Sequence, residues 1–153
     1  MVLSPQVLCV LVYRMSHFMH ANGWIRLAFV LYQLNQLAFK VSIDPAGCIR
    51  GGLFLPHPHG VVLSADVGMR LTMYADSLCC PTRPGPESAR AERPQLGRRI
   101  TIGVHAALIG PISVGDGTRV MYRTDVEQDA NAGSVVTSGR IRLRISKPGE
   151  TRT

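Results

Sequence analysis

Large rings and charges are both scarce in this 153-residue chain. Aromatic residues make up only 6%, which excludes a core built mainly on large rings. Lysine and arginine outnumber acidic residues 17 to 10, giving a formal charge of +7 and a general attraction to anions. Because no aromatic residues are interleaved with the basic ones and no nucleic-acid motif is present, we expect no nucleic-acid partner.

The sequence also lacks a disulfide framework and a long apolar run. Its four cysteines are Cys9, Cys48, Cys79 and Cys80. Their spacing fits neither a metal cluster nor paired bridges, so we predict free thiols in a reducing cytoplasm. The apolar run at residues 2–13 is too short to span a bilayer, and it has neither the basic flank nor the cleavage site of a signal peptide. We therefore expect a cytoplasmic protein without a membrane span.

Two short helices are predicted in residues 1–40. Ser4 followed by Pro5 is a helix start, and Asn22 is placed to cap a second helix from about residue 23 to 39. Apolar residues recur at helical spacing in the second helix, at Leu27, Leu31, Leu34 and Ala38. The opposite positions carry polar residues, namely Arg26, Gln33 and Asn35.

After Lys40 the chain repeats every six residues. One block of apolar residues is Ile43, Ile49, Leu55, Val61, Val67 and Met73, and the other is Leu96, Ile102, Leu108, Val114, Val120 and Val126. At 46% hydrophobic content, chance fills twelve chosen positions in this way about once in ten thousand. Positions four residues further on are mostly small or apolar, and His59 occupies one of them, where we expect it to pack or hydrogen-bond at a corner.

A six-residue period is typical of a triangular coil with one short strand on each side. Three hexapeptides complete one turn, so the two blocks predict about four turns around a column of apolar side chains, over residues 41–138. Glycines that directly follow an apolar residue fit tight corners, as at Gly68, Gly97, Gly103 and Gly115. Residues 78–95, rich in proline and charge, predict a loop excursion, and residues 139–153 a basic C-terminal tail.

Three segments of the repeat resemble the serine acetyltransferase branch of the hexapeptide-repeat acyltransferases. They read IDPAGCIRGGLFLPHPHG at 43–60, LGRRITIGVHAALIGPISVGDG at 96–117 and DVEQDANAGSVV at 125–136. The resemblance implies a left-handed parallel β-helix preceded by a short α-helical segment. It also implies a homotrimer with active sites in the grooves between subunits, and acetyl-CoA as the donor.

The resemblance places the family's catalytic histidine on His57. Imidazole titrates near neutral pH and can take a proton from an acceptor hydroxyl. The family's aspartate, fifteen residues earlier, falls on Ser42, so Asp44 is the candidate that orients His57. A second family histidine falls on Arg93, which cannot act as a base but can bind a carboxylate or phosphate of the substrate.

The resemblance also implies positions for the CoA donor. The family's groove-lining positions are held here by Val104 and Tyr122, and Met121 replaces a glycine. Arg140 follows the last repeat, where the family's cofactor tail lies, and its guanidinium suits a phosphate.

The leading hypothesis is an acetyl-CoA-dependent O-acetyltransferase that acts on a hydroxyl of serine or of a sugar. A second hypothesis is a non-catalytic trimer that serves as a scaffold or binding module. It remains open because four positions depart from the family's pattern, namely Ser42, Arg93, Met121 and Tyr122. A third is a metal enzyme using His57, His59 and His105, but the His-Pro-His spacing does not match the metal-binding relatives, and no metal is expected.

Overall fold

Two helices precede a coil of short strands in the computed structural model, which describes residues 4–82 and 92–137 and the backbone of 140–143. Helix α1 spans Pro5–Ala21 and α2 spans Ile25–Phe39. The strands are β1 Ser42–Ile43, β2 Val62–Leu63, β3 Asp66–Val67, β4 Leu71–Met73, β5 Leu78–Cys80, β6 Gln95–Leu96, β7 Ile100–Ile102, β8 Ala107–Ile109, β9 Ser113–Val114, β10 Arg119–Val120, β11 Asp125–Val126, β12 Ser134–Thr137 and β13 Arg140–Leu143.

The boundary between the helices differs from the prediction. Asn22 does not cap the second helix but ends the first, because its backbone N–H and its side-chain amide both donate to the Phe18 carbonyl oxygen. Gly23 then adopts φ +82°, the left-handed conformation that commonly follows a helix end. Helix α2 begins two residues later, with Trp24 at its N-cap.

Helix α2 packs through polar contacts and a small residue rather than through its leucine stripe. Its buried residues are Ala28 and Asn35. The Asn35 amide donates to the Cys9 carbonyl oxygen at 3.2 Å, and the Ser16 hydroxyl donates to the Ala28 carbonyl oxygen at 2.7 Å. Leu34, by contrast, is exposed. The periodicity placed Asn35 on the solvent-facing side of α2, but the structure places it, hydrogen-bonded, in the contact between the two helices. No described helix is long and apolar enough to cross a membrane.

The strands form three sheets that make the three sides of a prism. Sheet A contains β1, β2, β5, β8 and β11, sheet B contains β3, β6 and β9, and sheet C contains β4, β7, β10, β12 and β13. Every pairing is parallel except that between β12 and β13, which is antiparallel. The chain visits the sheets in the order A, B, C and returns to A, as the six-residue repeat predicts.

The register gives the length of each turn. Thr101 pairs with Arg119, eighteen residues on, which is three hexapeptides. Within the described residues, sheet A starts five successive turns, at positions 42, 62, 78, 107 and 125. The fifth turn, at residues 125–137, is one more than the roughly four turns that the two repeat blocks predict.

All twelve predicted apolar positions are at least 95% buried and line the interior of the prism. They belong to one cluster with smaller residues such as Ala65 and Ala106. His59 departs from the pattern because its side chain is exposed, and only its carbonyl oxygen is used, as the acceptor for the Asp76 N–H at 2.9 Å. Of the two contacts predicted for His59 at this corner, the hydrogen bond is therefore present through its backbone, whereas its side chain does not pack there.

The corner that carries His59 is two residues longer than the regular one. Phe54 pairs with Thr72, eighteen residues on, whereas Val62 pairs with Leu78, only sixteen on. The extra two residues therefore lie between Phe54 and Val62, in the segment that contains His57. This corner projects from the prism, which explains why the imidazoles of His57 and His59 are both exposed.

The two predicted irregular segments are shorter than expected. Residues 78–80 form strand β5 and Gln95 begins strand β6, so both ends of the predicted loop belong to the coil, while residues 83–91 lie outside the described residues. At the other end the backbone of residues 140–143 forms strand β13 rather than the start of a tail. The rest of the predicted tail lies outside the described residues.

Helix α1 covers the open edge of the first turn. A parallel coil leaves a row of unpaired backbone N–H and C=O groups at its end, and the carbonyl oxygens there can accept hydrogen bonds from another element. Side chains of α1 donate to these oxygens in turn: His17 to Pro45, Tyr13 to Gly47, Arg14 to Ile49 and Arg50, and Gln6 to Pro56. The last of these contacts is to the residue directly before His57, so α1 is anchored beside the projecting corner.

Tyr13 is expected to stabilise this cap measurably. Its fully buried hydroxyl donates to the Gly47 carbonyl oxygen at 3.1 Å. The Tyr13→Phe change leaves that carbonyl unpaired, and urea unfolding is expected to show a loss of about 1–2 kcal/mol in the free energy of unfolding.

The same contact gives a pH dependence. Burial raises the pKa of Tyr13 from 10 to about 12, so the folded state keeps a proton that the unfolded state releases. The stabilisation is therefore complete below pH 10 and is lost as the pH rises through 12. The difference between the wild type and Tyr13→Phe should shrink across this range. A constant difference would contradict this assignment.

Candidate active site

His57 lies on the prism edge where the chain passes from sheet C to sheet A. We name this the His57 edge, formed by the successive corners 55–61, 74–77, 103–106 and 121–124. The corners are joined by backbone hydrogen bonds, including Asp76 N–H to the His59 carbonyl and Arg123 N–H to the Val104 carbonyl, both 2.9 Å. An exposed imidazole at the start of this ladder is free to meet a substrate.

The predicted donor positions lie on the same edge. Val104 and Tyr122 are eighteen residues apart and occupy matching places in consecutive corners, both exposed. Strands in one sheet are about 4.8 Å apart, so these corners follow the His57 corner at about 10 and 14 Å along the prism. An extended substrate lying on this edge would contact all three residues. The side chain of Arg140 lies outside the described part of the chain.

Beside His57, a groove separates α1 from the first turn. Its volume is about 460 Å³, and its walls are Val7, Val10 and Leu11 of α1 facing Leu53, Phe54 and Leu55 of the coil. We name it the α1 groove. His57 and Pro56 lie at its rim.

Asp44 and Arg93 meet on a different edge, where the chain passes from sheet A to sheet B. An Arg93 terminal nitrogen lies 3.0 Å from an Asp44 carboxylate oxygen, and the other donates to the Ala46 carbonyl oxygen at 2.8 Å. The Ser64 hydroxyl donates to the same Asp44 oxygen at 2.9 Å. Arg93 is buried, and its Nε has no partner among the described residues.

This arrangement holds Asp44 away from His57. Ser42, at the position of the family's aspartate, is two residues closer to the His57 edge, which is about 6.6 Å along a strand. Its hydroxyl forms a hydrogen bond with that of Tyr32. Between the described side chains of Asp44 and His57 there is no hydrogen bond. Arg93 and Asp44 together border a second cavity, of about 480 Å³, between α2 and sheet A.

Other reactive side chains are arranged less favourably for catalysis. The four cysteines are free thiols, and burial raises the pKa of Cys79 and Cys80, which disfavours their thiolates. Within residues 4–82 and 92–137, no three His, Cys, Asp or Glu side chains cluster in a way that could hold a metal ion. His105 lies two corners beyond His57, with its Nε2 3.9 Å from an Asp76 carboxylate oxygen.

Sequence reasoning did not find the α1 residues at the site. Gln6 and Leu11 lie more than forty positions from His57 in the sequence, and the helical pattern alone does not say which part of the coil α1 covers. One signal was present in the sequence. Arg14 and His17 are one helical turn apart, which indicates a polar stripe on α1 that can donate to backbone carbonyls.

A three-sided parallel coil with an exposed histidine on one edge is the architecture that the resemblance to the hexapeptide-repeat acyltransferases predicts. The curated serine acetyltransferase of Helicobacter pylori is 30% identical over 143 residues, which cover 92% of this chain and 81% of the relative. No family model matches the chain. At this level of identity and coverage, the chain belongs to the serine acetyltransferase family and is an acyltransferase.

Solved structures support the same fold. The serine acetyltransferase of Neisseria gonorrhoeae superposes with a TM-score of 0.82 at 23% identity, over 96% of this chain and 57% of that one. A serine acetyltransferase in complex with CoA gives 0.79 at 21% identity, over 89% of this chain and 55% of that one. These likenesses confirm the predicted left-handed parallel β-helix behind a helical segment. This chain spans just over half the length of those proteins.

Proposed function

We propose that the protein transfers the acetyl group of acetyl-CoA to the hydroxyl of serine. The relationship to the Helicobacter pylori serine acetyltransferase carries this proposal, because it covers nearly the whole chain. The exposed His57 on its projecting corner supplies the chemistry that such a transfer needs. The likeness to a serine acetyltransferase in complex with CoA supports the choice of donor.

His57 acts as the general base in this proposal. The imidazole takes the proton of the acceptor hydroxyl as its oxygen attacks the thioester carbonyl, and an oxyanion forms. Collapse of that intermediate breaks the carbon–sulfur bond and releases the CoA thiolate, which recovers the proton from the imidazolium. In this proposal, a backbone N–H group of the His57 edge stabilises the oxyanion.

The other site residues have separate roles in the proposal. Val104 and Tyr122 contact the donor along the His57 edge, and Arg140 binds its phosphates. Arg93 is held by Asp44, so the pair shapes the neighbouring cavity and contributes to substrate binding there rather than to proton transfer. Asp44 remains the carboxylate nearest in sequence to the family's orienting position, at Ser42.

We also propose that the active unit is a homotrimer, with each His57 edge facing a neighbouring subunit. A single prism leaves this edge open to solvent on one side, which gives little exclusion of water from the reaction. Sedimentation analysis is expected to give three times the mass of the chain. A monomer at assay concentration that still turns over would contradict this part of the proposal.

The test is an acceptor series with acetyl-CoA. Loss of the thioester's ultraviolet absorbance is the suitable signal, because the exposed Cys48 would itself react with a thiol reagent. We expect serine-dependent loss and formation of O-acetylserine by mass spectrometry. Consumption with a sugar but not with serine would transfer the proposal to a sugar acceptor, and no consumption with either would refute it.

A further inference from the structure

The α1 groove is a mainly apolar surface beside His57. Three of its wall residues, Val7, Leu11 and Phe54, remain about half exposed. Large apolar side chains that line a concave surface without being covered are typical of binding sites. The rim of the groove is the residue that we propose as the base, so whatever occupies the groove lies next to the reacting atoms.

Two of the polar side chains that line the groove, Gln6 and Arg14, are already engaged, and the other two are the Ser4 hydroxyl and the His57 imidazole. No acidic side chain lines it. The Arg14 guanidinium donates to the Ile49 and Arg50 carbonyl oxygens, and the Gln6 amide donates to that of Pro56 at 3.2 Å. The groove therefore offers little to the ammonium or carboxylate of an amino acid. It also offers little to the phosphates of a CoA.

The uncharged parts of the two proposed substrates are the acyl group and the pantetheine arm of the donor, and of these the acyl group carries the carbonyl that reacts beside His57, which lines the groove. We propose that the α1 groove binds the hydrocarbon chain of the donor, and that the enzyme accepts acyl groups longer than acetyl. This inference rests on the proposed transferase function and on His57 as its base. It assigns the groove to the acyl chain, and the His57 edge to the rest of the donor.

The expected result is a rise in kcat/KM with chain length. Each buried methylene contributes about 0.8 kcal/mol, which is about fourfold, so propionyl-CoA and butyryl-CoA are each expected to exceed the preceding donor by about that factor. The acceptor and its concentration are kept constant through the series. A fall in kcat/KM from acetyl-CoA to butyryl-CoA would overturn the proposal.

Binding provides a second measurement that does not need turnover. Isothermal titration of the whole protein with CoA, acetyl-CoA and butyryl-CoA, in the absence of acceptor, is expected to show the same rise in affinity. If no acyl group is transferred but affinity still rises with chain length, the proposed function fails and the groove assignment stands. If acetyl transfer occurs but neither rate nor affinity rises, the groove assignment fails alone.

A matched pair of variants locates the effect. Leu11→Trp places a larger ring in the groove and is expected to remove the advantage of butyryl-CoA over acetyl-CoA. Leu37→Trp, on the exposed surface of α2 where Leu37 is 79% exposed, is expected to retain it. An unchanged advantage in Leu11→Trp would refute the assignment. The assignment would also be refuted if the wild type showed no chain-length effect and Leu11→Trp changed the sedimenting mass. In that case another copy of the chain would cover the groove.

Discussion

The His57→Ala variant is expected to lose about 10²–10⁴-fold in kcat for acetyl transfer, the range typical of a missing general base. The loss arises because the acceptor hydroxyl keeps its proton at neutral pH and attacks a thioester poorly. His57 is exposed at a projecting corner and has no hydrogen bond among the described contacts, so its removal leaves the prism intact. The measurement is steady-state kinetics with saturating acetyl-CoA and serine.

His59→Ala is the matched control for this experiment. It removes another exposed imidazole from the same corner, two residues away and outside the lining of the α1 groove. Its kcat is expected to stay within about twofold of the wild type, and both variants should melt at the wild-type temperature. Equal losses in the two variants would mean that the corner as a whole, rather than one base, supports catalysis.

Replacing Gly68 by alanine is expected to destabilise the protein by about 2–3 kcal/mol. A Cβ atom at this position would lie 2.6 Å from the Gly97 carbonyl oxygen in the next turn. This neighbour is backbone, so it can move only if two turns of the prism separate. Urea denaturation followed by circular dichroism measures the change in the free energy of unfolding.

Gly51→Ala is the control, since Gly51 lies on the same prism edge, one turn earlier. A Cβ atom there meets nothing within 4 Å, and the residue has no positive φ. Its substitution is expected to change stability by less than about 0.5 kcal/mol. If both alanines were tolerated alike, the turns would not be packed as closely as the structure describes.

The interior of the prism could be predicted from the sequence, because the buried apolar residues recur at a regular six-residue spacing. Val61 and Leu108 stand at fixed six-residue intervals and are both fully buried. A stacked coil tolerates few exceptions in such positions, since each side chain rests on the turn before it. Small residues such as Gly68 were found for the same reason, through their place directly after an apolar one.

The places where the pattern fails are the ones that position the site. The two extra residues between Phe54 and Val62 are compensated by a shorter second turn, so the spacing of apolar residues stays regular while the register shifts. The position of α1 was not predictable, because Gln6, Tyr13 and Arg14 bind backbone carbonyls, which every residue has. Arg93 meets Asp44 across forty-nine positions, a distance over which spacing gives no guidance.

The two ends of the prism differ from its middle, and this limits how far it can grow. Parallel turns are joined to each other by the same hydrogen bonds that would join one molecule to the next, end to end. At the start, four α1 side chains already occupy the free carbonyl groups, and at the finish β13 runs in the opposite direction. Both features oppose end-to-end pairing of the described turns with those of another molecule, which would extend the coil into a filament along its axis.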